Sequence, residues 1–361
     1  MFLQHDFIKL NLSIYLVLSM PYDHLSQQPR LAHELLIALG KYGGKYGGDF
    51  VRVQQTLANA VSCAGFGLHS GQPVNLMLRP APPDTGVVFV NRNGKNGASL
   101  AASVEHLVPT ELCTAISGNG FQVKTIEHIL AALAGLDIDN VYVEVDAGEA
   151  PVMDGSAAHF VRLIRSAGIL PQSRRQPYLK ITWPLEVVDG ARRVRIEPSS
   201  TTKITYSIHY SHPLIQTQTY FYEHSVHAFE REIADARTFG FLQEVEALWA
   251  RGLGQGGSLD NTIILSQDGI LNESGLRFAN EFVRHKILDL IGDFSLLGVP
   301  FIGHLIAERS GHSMHTRLVQ QILNHPDSWV LLNTDQTVPA SEPRSAMAAP
   351  RSASLVALQA S

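Results

Sequence analysis

From Pro73 to Arg79 the bulky aliphatic residues fall at every second position: Val74, Leu76 and Leu78 share one face, and Asn75, Met77 and Arg79 the other. That alternation predicts a half-buried strand. A second strand is predicted at 86–92, ending in the turn-rich run Asn93 to Gly97, and a third at 140–146 with Val141, Val143 and Val145 inward. Between them the period changes. Ile126, Ile129, Leu130 and Leu133 predict a helix over 124–136, and a further helix is predicted at 156–167, with Asp154 or Ser156 placed to cap it.

The polar, proline-bounded run 171–177 reads as a connection, and the domain boundary is placed there. The pattern then restarts, with strands near 178–188, 191–197 and 202–210, and helices at about 226–236 and 241–252. A strand at 261–266, a helix at 280–296, a strand at 301–309 and a helix at 314–324 follow. Strands first and helices afterwards, twice over, predict an α+β protein of two domains with mostly antiparallel sheets, 51–174 and 175–336. No internal repeat is visible as sequence identity.

The two ends differ from this. The segment 7–20 is apolar but short and carries Lys9, Asn11 and Ser13, whereas a membrane-spanning helix needs about 20 apolar residues. It has neither a basic start nor a clear small-residue cleavage site. With the tandem Lys-Tyr-Gly-Gly at 41–48, residues 1–50 read as a flexible extension, and the Ala-, Ser- and Pro-rich 337–361 as a flexible tail. Composition adds limits: 361 residues, 45% hydrophobic, 17% charged and a net charge of −5 leave no basic surface for nucleic acid. Two cysteines, Cys63 and Cys113, are too few for a disulfide scaffold or a thiolate zinc site and suit a reducing, cytoplasmic compartment.

Chemistry concentrates in the run 281–293, a proline-free helix with Phe282, Ile287, Leu288 and Ile291 on its apolar face. His285, Asp289 and Asp293 are spaced four apart and stack on one face. Taken alone they are a solvated polar stripe or metal ligands; imidazole and carboxylate are both good zinc ligands. Glu127 and His128 lie inside an apolar run, where ionisable groups need partners or a task. Neighbouring helix residues point about 100° apart, so one of the two can be a ligand and the other stands beside it. The division is His128 as ligand and Glu127 as base, against an ordinary surface pair. His312 follows the turn residues Ser310 and Gly311 and is expected on a loop at a strand end, as an active-site group or an exposed histidine.

Together, His128, His285 and Asp289 make three zinc ligands with a fourth position open, the pattern of catalytic zinc. Glu127 is then general base, His312 general acid, and Asp293 the partner that holds the imidazole. The chemistry is metal-assisted hydrolysis of an amide or ester, at a site between the domains. Thr238 offers a hydroxyl to a developing oxyanion or, equally, an N-cap to the helix at 241–252. The stripe Leu242, Val245, Leu248 and Trp249 on that helix reads as core, with a greasy ligand passage as the alternative.

Several long segments, in order over most of residues 56–333, resemble the UDP-3-O-acyl-N-acetylglucosamine deacetylase family, the zinc amidases that commit bacteria to lipid A synthesis. They include Gly65-Phe-Gly-Leu-His-Ser-Gly71, Thr125-Ile-Glu-His128, Pro151-Val-Met-Asp-Gly-Ser156, Ala236-Arg-Thr-Phe-Gly-Phe241, Leu271-Asn-Glu-Ser-Gly-Leu-Arg277, Glu281-Phe-Val-Arg-His-Lys-Ile-Leu-Asp289 and Ser310-Gly-His312. The resemblance implies two similar α+β domains, each with a small insert, near 104–117 and 241–257. It implies the same metal, base, acid and oxyanion roles, and adds Phe239 and Lys286 as contacts to the sugar diphosphate. Leu112, Cys113 and Gly254 would line the site and an acyl-chain passage. His69 matches a histidine near the family's active site and is given no ligand role. Glu111 departs from the family, which often has an apolar residue there.

The expected reaction removes the N-acetyl group from UDP-3-O-(3-hydroxyacyl)-N-acetylglucosamine and releases acetate, with one Zn2+ per chain; the ligand set also suits iron(II). Expected partners are the UDP-linked acylated amino sugar and no nucleic acid, with at most peripheral membrane contact, for a monomer. The alternatives are a zinc amidase for another amino-sugar conjugate and a catalytically silent binder of a nucleotide-sugar lipid.

Overall fold

The alternating run near residue 75 is the second strand of a five-stranded sheet. The computed structural model describes residues 52–94 and 97–332; the extension and the tail expected at the two ends lie outside them. The sheet runs in the order Val61–Phe66, Pro73–Pro80, Val141–Val145, Val87–Asn91, Ser99–Ala101. All neighbours are antiparallel except Val141–Val145 with Val87–Asn91, which are parallel with Phe89 opposite Val143. Val74, Leu76, Leu78, Phe89, Val141, Val143 and Val145 are buried, as the period of two requires.

A second five-stranded sheet follows, in the order Leu185–Asp189, Arg192–Glu197, His304–Glu308, Lys203–His209, Thr217–Glu223. Its parallel pair is again the last-formed strand, His304–Glu308, against the third, Lys203–His209. In chain order both sheets therefore run first, second, fifth, third, fourth. The repeat that identity does not reveal is present in the topology, because a sheet constrains which positions are apolar and not which apolar residue fills them.

Six α-helices lie among the described residues: α1 (Glu127–Gly135), α2 (Ala158–Ala167), α3 (Val226–Glu232), α4 (Leu242–Ala250), α5 (Glu281–Phe294) and α6 (His312–Asn324). Helix α5 packs against strands Lys203–His209 and Thr217–Glu223, and α6 against Leu185–Asp189 and Arg192–Glu197. Helix α2 rests on Val61–Phe66. The closest helix pair is α1 with α5. Gly292 makes this approach possible: a Cβ there would lie 2.1 Å from the Glu127 carbonyl oxygen. Consequently α5 is covered nearly all round. His285, Asp289 and Asp293 are only 2%, 2% and 0% exposed, so their stripe is no solvated face.

Some local expectations give way. The polar run 171–177 falls largely within a strand, Ile169–Arg175, paired antiparallel with Val53–Leu57; its backbone, rather than its side chains, makes the contact. Helix α1 starts three residues later than predicted because Lys124 ends the strand Phe121–Lys124 and Thr125 has φ 55°. Helix α2 starts at Ala158; Ser156 Oγ accepts from the Ala158 N–H at 3.2 Å, and Asp154 receives Ser156 in turn. Helix α4 has no buried residue, with Leu242 47% and Trp249 55% exposed, so its apolar stripe is not core. His312 is the first residue of α6 rather than a loop residue, since the left-handed turn at Arg309 (φ 51°) already reverses the chain. The first expected insert holds the antiparallel strands Leu107–Val108 and Ala115–Gly118, and the second holds α4. No helix among the described residues is long and apolar enough to cross a membrane.

Candidate active site

Helix α1 presents His128, and α5 presents His285 and Asp289 one turn apart; one ligand atom from each lies within 4.8 Å of the others. The Asp289 Oδ1 atom is the focus: His285 Nε2 lies 3.3 Å away and His128 Nε2 3.7 Å. The other carboxylate oxygen, Oδ2, accepts from Lys286 Nζ at 2.7 Å. His285 Nδ1 donates to the Ala236 carbonyl at 3.0 Å, which leaves its Nε2 lone pair facing the cluster. Burial pushes this imidazole down to about 3, against the pull of Asp289, so it is neutral as a ligand must be. Burial opposes ionisation of Asp289, yet His285, Lys286 and His128 together hold it well below the usual carboxylate range. Among the described residues, His128 Nδ1 has no hydrogen-bond partner. Two imidazoles and an ionised carboxylate converging on one point fit a divalent metal of the zinc type.

A chain of hydrogen bonds runs beside this cluster. Thr114 donates its backbone N–H to Glu127 Oε2 at 3.0 Å and its hydroxyl to Asp293 Oδ1. Asp293 Oδ2 in turn receives His312 Nδ1 at 2.9 Å. The far nitrogen of His312, Nε2, faces the cluster, 3.8 Å from Asp289 Oδ2. Burial raises the Glu127 carboxyl, with His312 and His128 opposing. For His312 the balance goes the other way: burial disfavours its charge, but Asp293 and Asp289 raise it to about 9. One side holds a carboxylate with an elevated proton affinity and the other an imidazole that keeps its proton at neutral pH, a candidate acid–base pair flanking a candidate metal-ligand set.

The chain is similar to known deacetylases across this whole region. It matches the family described as UDP-3-O-acyl N-acetylglycosamine deacetylase over residues 54–324. The chain belongs to this family. Three relatives named UDP-3-O-acyl-N-acetylglucosamine deacetylase illustrate the likeness. The one from Syntrophus aciditrophicus is 45% identical over 276 residues, 76% of this chain and 88% of the relative. That from Myxococcus xanthus is 46% identical over 279 residues, 77% and 89% of the two chains. That from Acidithiobacillus ferrooxidans is 45% identical over 278 residues, 76% and 91%.

The other expected deacetylase residues are placed less tightly. Thr238 does not cap α4, whose N-cap is Phe241 with no side-chain hydrogen bond; its N–H donates to the Gly155 carbonyl at 2.8 Å and its carbonyl accepts from Ile263. Phe239 stacks edge-on against Phe282, with its ring centroid 6.0 Å from Lys286 Nζ. Burial disfavours the Lys286 charge, but Asp289 raises its proton affinity and it stays a cation. Leu112 is exposed, Cys113 is buried and Gly254 accepts Trp249 Nε1 at 3.2 Å. Burial pushes the Cys113 thiol up to about 11, which makes it a poor nucleophile. Glu111 pairs with Arg251 at 2.6 Å on the surface, tying together the two expected inserts. His69 is buried with neither ring nitrogen bonded.

Sequence reasoning missed Thr114, which touches both Glu127 and Asp293, and the buried pair Arg237–Glu281. Glu281 Oε1 accepts from both the Arg237 backbone N–H at 3.0 Å and its Nε at 2.8 Å. This fastens the start of α5 to the segment that carries the Ala236 carbonyl and Thr238. Both residues sit inside quoted motifs, yet nothing in their spacing, 44 residues apart, indicates the contact.

Proposed function

We propose that this family member is a divalent-metal amidohydrolase that removes the N-acetyl group from UDP-3-O-(3-hydroxyacyl)-N-acetylglucosamine and releases acetate, the committed step of lipid A synthesis. The convergence of His128, His285 and Asp289 beside the linked pair Glu127 and His312 carries this reading. His128, His285 and Asp289 hold the ion, Zn2+ or Fe2+. When bound, it supplies Lewis acidity to the acetamide carbonyl and to water. Glu127 takes the proton of the attacking water, helped by its raised proton affinity. Thr238 donates to the developing oxyanion. His312 delivers its Nε2 proton to the departing nitrogen, while Asp293 holds the ring by Nδ1. Lys286 and Phe239 take the sugar diphosphate, and Leu112, Cys113 and Gly254 border the site and the acyl passage.

The shared strand order of the two five-stranded sheets supports two similar α+β domains, 51–174 and 175–336, with the site between them. We place the enzyme in the cytoplasm as a monomer with at most peripheral membrane contact; both cysteines are free thiols. The test is bound metal by elemental analysis together with acetate release from the UDP-acyl sugar, before and after chelation and zinc return. About one ion per chain with activity lost and restored is the expected result. One ion with no release of acetate would mean another amide substrate or a silent binder.

A further inference from the structure

Asp293 is shared by two imidazoles. His312 and His315 stand three residues apart on α6 and face the same carboxylate oxygen, with His312 Nδ1 at 2.9 Å and His315 Nδ1 at 2.7 Å from Oδ2. Asp293 and His315 are both 0% exposed. Burial opposes ionisation of Asp293, but the two histidines hold it down to about 2, so it is an acceptor only and each Nδ1 donates.

The far side of His315 has its own partners. Its Nε2 lies 3.0 Å from Ser310 Oγ and 3.2 Å from the Tyr206 hydroxyl. Tyr206 spends its only hydroxyl proton on the Ser310 carbonyl, 2.9 Å away. The Ser310 hydroxyl donates to the Tyr206 hydroxyl at 3.0 Å and also faces Nε2, so a His315 protonated on Nδ1 has partners at both nitrogens. Burial also lowers its proton affinity, with His312 and Lys286 acting in the same direction and Asp293 against them. The ionisable groups facing it are Asp293 and Lys286 from α5, His312 from its own helix, and Tyr206 from the strand Lys203–His209.

We propose that His315 is a positioning residue for His312: by donating to the shared Asp293 oxygen it fixes the carboxylate that in turn aims the His312 ring. The inference rests on His312 as general acid. Without His315 the carboxylate loses one of the donors that hold it in place, and the His312 ring is less firmly aimed. Because His315 has no access to the substrate, its loss falls on kcat and leaves KM unchanged.

Two polar replacements separate the two sides of the ring. In His315→Asn the amide nitrogen stands where Nδ1 was and keeps the donor to Asp293. In His315→Gln the amide reaches the Nε2 position and leaves Asp293 without that donor. We expect the Asn form to keep kcat within about threefold, and the Gln form to lose about tenfold or more with KM unchanged, the range seen when a supporting hydrogen bond is removed. His315→Leu, which also lacks the donor, replaces the Gln form if the latter does not fold. Equal kcat in the Asn and the Gln (or Leu) forms, or a loss that falls on KM instead of kcat, overturns the inference. Full turnover by His312→Ala would instead sink the general-acid assignment beneath it.

Discussion

The backbone of Gly292 lies directly against the backbone of Glu127, so close that a Cβ on Gly292 would stand 2.1 Å from the Glu127 carbonyl oxygen and 2.7 Å from its carbon. Helix α5 can bring His285 and Asp289 up to His128 of α1 only because this position has no side chain. Gly292→Ala forces the helices apart, and the obstacle is backbone, which cannot swing away. We expect a loss of about 1–3 kcal/mol of stability, the usual range for overpacking, together with weakened metal retention. Chemical denaturation and elemental analysis check both; wild-type values for each would mean the helices separate without consequence.

Glu127 Oε2 accepts the Thr114 N–H, and the carboxylate is not one of the group His128, His285 and Asp289. Glu127→Ala should therefore retain metal and lose turnover by about 10²–10⁴-fold, the usual contribution of a positioned general base. Loss of the metal along with activity would reverse the assignment of Glu127 and His128. Asp289→Ala is the complement, and metal content should fall there first.

The pair Arg237–Glu281 is buried, with side chains 5% and 0% exposed. Glu281→Ala leaves the Arg237 and Arg277 backbone N–H groups without their acceptor and the buried guanidinium with only the Gly275 carbonyl and no counter-charge from Glu281. We expect destabilisation of about 3–5 kcal/mol, as for other broken buried pairs. The Ala236 carbonyl also shifts from His285, so metal affinity should fall in any variant population that remains folded. A drop in melting temperature with unchanged affinity would limit the pair to a structural role.

His312 is raised from 6.5 to about 9 in the folded protein, burial opposing and Asp293 and Asp289 prevailing. Its folded value exceeds its unfolded one, so its contribution to stability is complete below about 6.5 and lost as pH rises through about 9. In the proposed mechanism the acid form is the active form, so kcat should decline on the alkaline side near pH 9. A kcat–pH profile of wild type against His312→Gln checks this. An alkaline limb that survives in the variant would belong to another group.

Much of this protein is legible in the sequence because it depends on spacing. Strand Pro73–Pro80 follows from the alternation of Val74, Leu76 and Leu78, and α5 from its unbroken helical period. His285, Asp289 and Asp293 share a face because four residues make about one helical turn, whatever surrounds the helix. The α+β class was available from such local rules and from the resemblance, which also supplied the candidate ligands, base and acid. Burial was not: the same i, i+4 stripe can face water or a second helix, and only the approach of α1 at Gly292 decides between them. Spacing also says nothing about Thr114 and Asp293, 179 residues apart, or about the Ala236 carbonyl that orients His285 from 49 residues away. The second histidine on Asp293, His315, was not legible, because the sequence predicts His312 on a loop and the structure alone puts both on α6. Which oxygen they share, and which of them keeps its proton, depends on desolvation and on the charges of packed neighbours, and the fold alone brings those together.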